Sequence, residues 1–285
     1  MITLAFYGIA YGAVLYLLSV GLSVTLGLMR FVNLAHGVFA MAGGYVTVAA
    51  MSRAGFPFVP AVLAAAVLVG AFGMLLERAL YRRLYAAPIL EQVLFSIGLI
   101  FVSMAIARYA FGPLAQPIEL PAWLSARVNI GIGVFPAYRI FLIGVGALVS
   151  LAVWAGVERT RFGASIRAAV DNRRMAESVG INVSRLFTWS FGLGCALAAL
   201  GGGLGAGLLP IHPGYPNEYL VYVLIVVAVA GLGNIRGALY AALAFGVADT
   251  TIRYFLPDLG RVVVLLLVMA VLFRHPHGLA PKTDA

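Results

Sequence analysis

Long apolar runs separated by short polar joints organise this chain. Runs of about 18 residues or more recur, and a helix of that length crosses the hydrocarbon core of a bilayer. The pattern predicts spans at about 4–28, 32–51, 58–77, 89–111, 138–157, 186–208, 218–235, 237–255 and 260–274. The last is short and the seventh and eighth nearly touch, so eight full spans plus a broken or re-entrant one is the alternative count. A transmembrane β-barrel would alternate apolar and polar positions in segments of about ten residues, and the chain shows no such alternation. The expected fold class is therefore all-α: a polytopic membrane protein with a bundle of about eight or nine helices, forming one transmembrane unit over residues 1–285.

One stretch breaks the pattern. The chain is 63% hydrophobic and 10% charged, yet residues 158–185 hold nine of its 29 charged side chains: Glu158, Arg159, Arg161, Arg167, Asp171, Arg173, Arg174, Glu177 and Arg185. Gly163 to Val179 reads as a short helix outside the hydrocarbon. Arg167/Asp171 and Arg173/Glu177 are spaced i,i+4, so each pair shares a face. Ile166, Ala169 and Val170 form a small apolar patch. Gly180 is a natural stop in the left-handed conformation, and Asn182 or Ser184 then caps the next span. The plainer alternative is a solvated loop whose arginines only set orientation. That role needs neither the acids nor a capped helix, whereas docking onto another protein suits both.

Charge adds orientation. Net charge is +9, pI about 10.0 and mean hydropathy +1.03. In a soluble chain such a balance would suggest nucleic acid. In a membrane chain, basic residues gather in cytoplasmic loops, so lipid is the expected surroundings and no nucleic-acid partner is implied. Arg78, Arg82 and Arg83, the six arginines of the charged stretch, and Arg274 with Lys282 in the tail are then cytoplasmic. That parity puts the N-terminus outside, the C-terminus inside, and the proline-rich loops 112–137 and 209–217 on the outer face. The N-terminal run has no positive n-region, so the first helix is expected to be retained.

Several chemistries are excluded. A P-loop needs G-x-x-x-x-G-K-[ST], and the only lysine is Lys282, preceded by Pro281. Lone Cys195 forms no internal disulfide or cysteine metal site. His275 and His277, with a proline between them, are too few for a metal. Gly8/Gly12, Gly201/Gly205, Gly203/Gly207 and Gly233/Gly237 have small-xxx-small spacing, which lets helix backbones approach closely in lipid and points to packing within the chain.

Polar groups inside spans are functional candidates by default. Asn33 and His36 lie near the cytoplasmic start of the second span, where they line a path or fix an interhelical contact. Asp249, beside Thr250 and Thr251, is either an ion site or the partner of Arg253 at i+4, and the pairing is the simpler expectation. Glu91 and Gln92 open the fourth span, and His212, Glu218 and Tyr219 face outward.

Three ordered stretches carry a resemblance. "FGASIRAAVDNRRMAESVGINVSRL" resembles the cytoplasmic coupling segment of permeases of branched-chain amino acid ABC importers, the LivH-like family, with Gly163, Arg167, Ala168, Asp171, Ala176, Glu177, Gly180, Ile181 and Asn182 in step. "GLSVTLGLMRFVNLAHGVFAMAGGYV" is similar to the family's N-terminal motif through Asn33, Ala35, His36, Gly37, Gly43 and Tyr45. "AGLGNIRGALYAAL" is similar to its late glycine motif, with Arg236-Gly237-Ala238 where the family usually has proline. The resemblance implies a non-enzymatic transport subunit. Residues 158–185 would dock it onto an ATPase through Gly163, Arg167, Asp171, Glu177, Gly180 and Asn182. Asn33, His36, Gly37 and Tyr45 would belong to the translocation path. Implied partners are a second, different permease, two ABC ATPase subunits that carry ATP and Mg, and a periplasmic substrate-binding protein. The setting would be the bacterial inner membrane, and the cargo branched-chain or related hydrophobic amino acids, with urea, short amides or aromatic acids as alternatives. The rival readings are an ion-coupled secondary transporter built on Asp249 and an intramembrane enzyme, for which His36 lacks a catalytic partner in the sequence.

Overall fold

The computed structural model describes Met1 to His275 apart from Arg30, Val32, Ala86, Ile130, Ile132 and Leu232. The basic tail with His277 and Lys282 lies outside the described residues. In chain order the elements are α1 (Ile2–Met29), α2 (His36–Ala54) and α3 (Phe58–Leu76), which runs through a π turn (Glu77–Tyr81) into α4 (Arg82–Leu84). Then come α5 (Ile89–Phe111), α6 (Ala122–Ser125), an antiparallel hairpin of β1 (Arg127–Asn129) and β2 (Val134–Pro136), and α7 (Ala137–Glu158). The charged stretch forms α8 (Arg161–Asp171) and α9 (Arg173–Ser178), followed by α10 (Val183–Gly205), α11 (Tyr215–Ala230), α12 (Ile235–Phe255) and α13 (Gly260–Arg274).

The protein is a polytopic all-α membrane protein. Among the described residues, five segments have both the length and the apolarity to cross a membrane: Ile2–Gly27, Phe58–Leu84, Ile89–Phe111, Ala137–Glu158 and Val183–Gly205. α11 and α13 are apolar but shorter, at 16 and 15 residues. At 1.5 Å per residue they reach roughly 24 Å, less than the roughly 30 Å of a hydrocarbon core.

α1 and α10 form the centre. α1 packs against α12, α10, α7 and α11, and α10 also packs against α3 and α2. Glycines permit the closest of these contacts. A Cβ on Gly8 would lie 2.5 Å from Val247 Cα, and one on Gly12 2.7 Å from the Ala242 carbonyl, so α1 and α12 meet backbone to backbone. Gly43 and Gly202 do the same for α2 and α10, against the backbones of Ala199 and Ala40. With little hydrophobic force between helices in lipid, such backbone contact and dispersion hold a bundle together. α5 and α7 lie further out, and their outward side chains, such as Phe101, Ile106, Leu148 and Leu151, are exposed and apolar, as a lipid-facing surface requires.

Two expectations are corrected. The second span does not begin at residue 32. α1 continues to Met29, and α2 starts only at His36, whose Nε2 lies 3.1 Å from the carbonyl of Leu18. Leu18 is eleven residues back from the end of α1, or about 16 Å of helix. Between α1 and α2, Phe31, Asn33 and Ala35 are buried in the interior. Irregular backbone at membrane depth is tolerated where protein surrounds it. Asn33 and His36 consequently lie inside the bundle, Asn33 against Tyr81 and His36 against Leu18. The N-terminus of α11 meets that of α2 there, since a Cβ on Gly37 would sit 3.1 Å from Pro216.

The second correction concerns the helix expected over Gly163 to Val179. It is two helices, split at Asn172, which is extended (φ −146°, ψ 98°) and caps α9 by accepting the Met175 N–H at 3.0 Å. Asparagine's short side chain competes with the helical backbone, so it ends one helix and starts the next.

Candidate functional site

The charged joint is built from caps. Thr160 accepts the Gly163 N–H at 3.1 Å and starts α8. Gly163 presses on the backbone of Val157, leaving no room for a Cβ, so α8 folds back against the end of α7. Ile166 and Ala169 are buried toward the bundle, with Val170 half-buried beside them. α9 closes in a complete Schellman motif: Ile181 N–H donates to Ala176 O (3.0 Å), Gly180 N–H donates to Glu177 O (3.1 Å), and Gly180 has φ +87°. Asn182, and not Ser184, caps α10 by accepting the Arg185 N–H at 2.9 Å.

The two expected ion pairs fare differently. Arg173 Nε donates to Glu177 Oε1 at 3.0 Å. Arg167 instead donates to the Val157 carbonyl, and no Arg167–Asp171 pair forms among the described residues. The freed carbonyl at the end of α7 is a stronger claim on a guanidinium than a solvated carboxylate, because the carbonyl has no helical partner of its own. Arg167, Asp171, Arg173, Arg174 and Glu177 all remain exposed, so this end presents a solvated, mixed-charge face.

Two constellations at this basic end escaped the sequence reading. Glu158 pairs with Arg236 at 2.6 Å, and Arg159 and Arg236 both lie over the Trp154 ring, at 4.6 and 5.3 Å. This ties the end of α7, where α8 begins, to the start of α12. The second is Glu77, wholly buried in the π turn. Its Oε2 accepts Thr188 Oγ1 at 2.6 Å and its Oε1 accepts the Tyr85 hydroxyl at 2.8 Å. Arg82 lies 3.6 Å away and donates to Thr188 Oγ1 at 3.0 Å. Glu77 thus joins α3 to the first turns of α10, directly after the charged joint. The available signal was an acid at the end of an apolar run among "ERALYRR"; those arginines were read only as orientation marks.

The π turn also positions Tyr81, which donates to Asn33 Oδ1 at 3.1 Å, while Asn33 Nδ2 is buried without a hydrogen-bond partner among the described residues. π turns shift helical register and recur at functional sites. Asn33, His36 and Gly37 are therefore gathered in the bundle interior. Tyr45 is not with them: its ring stacks on Phe111 at 4.4 Å, at the end remote from α8 and α9. Asp249 is also towards that far end, 3% exposed, with Arg253 Nε at 2.8 Å, and Arg253 donates to the Tyr222 hydroxyl at 3.1 Å. His212 Nε2 lies 2.9 Å from Glu218 Oε2 nearby. Among the described residues no group of three or more His, Cys, Asp or Glu side chains could hold a metal.

These features define a class: a multi-pass helical membrane protein with a capped, charged helical joint at one end. Residues 4–272 match the family described as "Branched-chain amino acid transport system / permease component", and the chain belongs to that family. It is 29% identical to the high-affinity branched-chain amino acid transport system permease protein BraD of Pseudomonas aeruginosa, over 97% of this chain and 94% of that protein. It is 27% identical to a probable branched-chain amino acid transport permease protein LivH of Methanocaldococcus jannaschii, over 95% and 90%. It is 25% identical to the high-affinity permease protein LivH of Escherichia coli K12, over 98% and 95%. No solved structure matches.

Proposed function

We propose that this chain is a transmembrane permease subunit of a bacterial ABC importer and forms the path for branched-chain or related hydrophobic amino acids. The observation that carries the reading is the family match over residues 4–272, together with an exposed, capped helix pair between two membrane spans. The relatives' names favour branched-chain amino acids over urea, amides or aromatic acids. In this reading α8 and α9 are the coupling segment. Gly163, Gly180 and Asn182 shape it, and Arg167, Asp171 and Glu177 belong to its charged face. Two separate ATPase subunits dock there and supply ATP and Mg; a second, different permease completes the path and a periplasmic binding protein delivers the cargo. The chain lies in the inner membrane with its N-terminus outside and the α8–α9 end in the cytoplasm.

Co-purification tests this. Tagged wild type is expected to bring down an ATPase. Arg173→Glu with Glu177→Arg keeps the intrahelical pair but reverses the face, and is expected to lose the ATPase while inserting normally. ATPase retention in the swapped variant would remove α9 from the docking surface. Failure of any ATPase to associate with wild type would overturn the importer reading.

A further inference from the structure

At the end remote from α8 and α9, a cavity of about 350 Å³ opens between α1, α7, α11 and α12 and the segment after α10. Its volume falls in the range of small-molecule sites, which pair aromatic or apolar walls with a few converging polar groups. Its charges are balanced: two arginines, Arg139 and Arg253, and two acids, Glu218 and Asp249. They are not equally available. Asp249 and Arg253 satisfy each other at 2.8 Å, with Tyr222 on the arginine, and form a neutral wall. Arg139 has no ion pair among the described residues; its guanidinium is held over the Tyr7 ring at 4.0 Å. Glu218 is exposed, with His212 Nε2 at 2.9 Å from one of its two carboxylate oxygens. The cavity therefore offers one uncommitted cation and one reachable carboxylate. Tyrosine rings and the aliphatic side chains of Leu208 and Leu209 complete the lining. The other sizeable groove, between α1, α12 and α13, is lined by Ile9, Leu243, Val247 and Leu267 and has almost no polar surface, which suits an acyl chain and not a charged solute.

We propose that the Arg139–Glu218 cavity binds an α-amino acid as its zwitterion, Arg139 taking the carboxylate and Glu218 the ammonium, with the aliphatic side chain against Leu208, Leu209 and the tyrosine rings. A guanidinium matches a carboxylate through paired N–H donors, and aromatic faces beside an acid favour an ammonium. The inference rests on the permease reading and deepens it: the permease itself, and not only a delivering protein, holds the cargo at its outer end.

The test uses the assembled complex in lipid nanodiscs without binding protein, titrated with three probes. L-Leucine carries both charges, isoamylamine lacks the carboxylate, and 4-methylpentanoate lacks the ammonium. Wild type is expected to bind leucine about tenfold or more tighter than either analogue, the scale of one charge-assisted contact. Arg139→Gln is expected to lower leucine and 4-methylpentanoate binding while leaving isoamylamine unchanged. Glu218→Gln is expected to lower leucine and isoamylamine binding while sparing 4-methylpentanoate. A merely structural role for either residue would weaken all three probes alike and overturn the assignment. So would a wild-type complex that binds no leucine yet imports it when binding protein is added. Selective leucine binding by a complex that imports no amino acid even with binding protein would instead sustain the site and sink the permease reading.

Discussion

Glu77 and Asp249 are both buried carboxylates facing an arginine, yet they do different things. Glu77 receives hydrogen bonds from Tyr85 and from Thr188 on another helix, with Arg82 over the cluster. Asp249 finds its arginine one turn along its own helix, and that arginine reaches Tyr222 on α11. The first is closed on all sides and joins α3 to α10 beside the charged joint; the second lines a cavity. A carboxylate enclosed by side chains of two helical segments acts as a strut, because removing it takes away an acceptor shared by donors on both. One that satisfies itself locally leaves the surrounding space free for a ligand.

That contrast can be broken by measurement, most sharply at Glu77. Glu77→Ala is expected to destabilise the detergent-purified protein by about 2–4 kcal/mol, the cost of removing a buried carboxylate that accepts from both Tyr85 and Thr188, read as a fall in unfolding midpoint. Asp249→Ala should cost less, about 1–3 kcal/mol, because its ion pair lies within one turn of a single helix and Arg253 keeps Tyr222. If Asp249→Ala proves the more damaging, the strut and the wall have been assigned the wrong way round. Thr188→Val removes one interhelical donor and should cost about 1 kcal/mol; a value near zero would mean that Tyr85 and Arg82 alone hold Glu77. Glu177→Ala lies at the other extreme. Its pair with Arg173 is solvated, so stability should change by less than about 0.5 kcal/mol, while ATP hydrolysis driven by substrate delivery should fall if α9 is the docking surface.

Most of the fold was legible in the sequence because apolar length is a strong signal. The predicted spans at 58–77, 89–111 and 138–157 lie within two residues of α3, α5 and α7 at nearly every boundary. The caps were legible too: Gly180 stops α9 and Asn182 starts α10, since both act through their immediate neighbours. The failures came where a partner was distant in the chain. The start of α2 at His36 depends on Leu18 and Pro216, and "RFVNLAHGVFA" is as apolar as a helix would be. Arg167 was paired with Asp171 by spacing, but the Val157 carbonyl lies outside any helical periodicity. Glu77 was lost among orientation arginines because Thr188 stands 111 residues away.

The sequence by itself determined that the chain is a membrane bundle, where its polar joint falls and that Gly180 stops it, because hydrophobic length and helix-terminal hydrogen bonding are local. Only the tertiary structure decided which glycines touch backbone, that Phe31, Asn33 and Ala35 are buried in the protein interior, and which polar groups share a site. Those outcomes depend on contacts between helices whose order in space the apolar pattern does not encode. Glu218, on the first turn of α11, stood out in the sequence as an outward-facing acid, but Arg139, on the first turn of α7, did not, and the two line one cavity only because their helices reach the same end of the bundle.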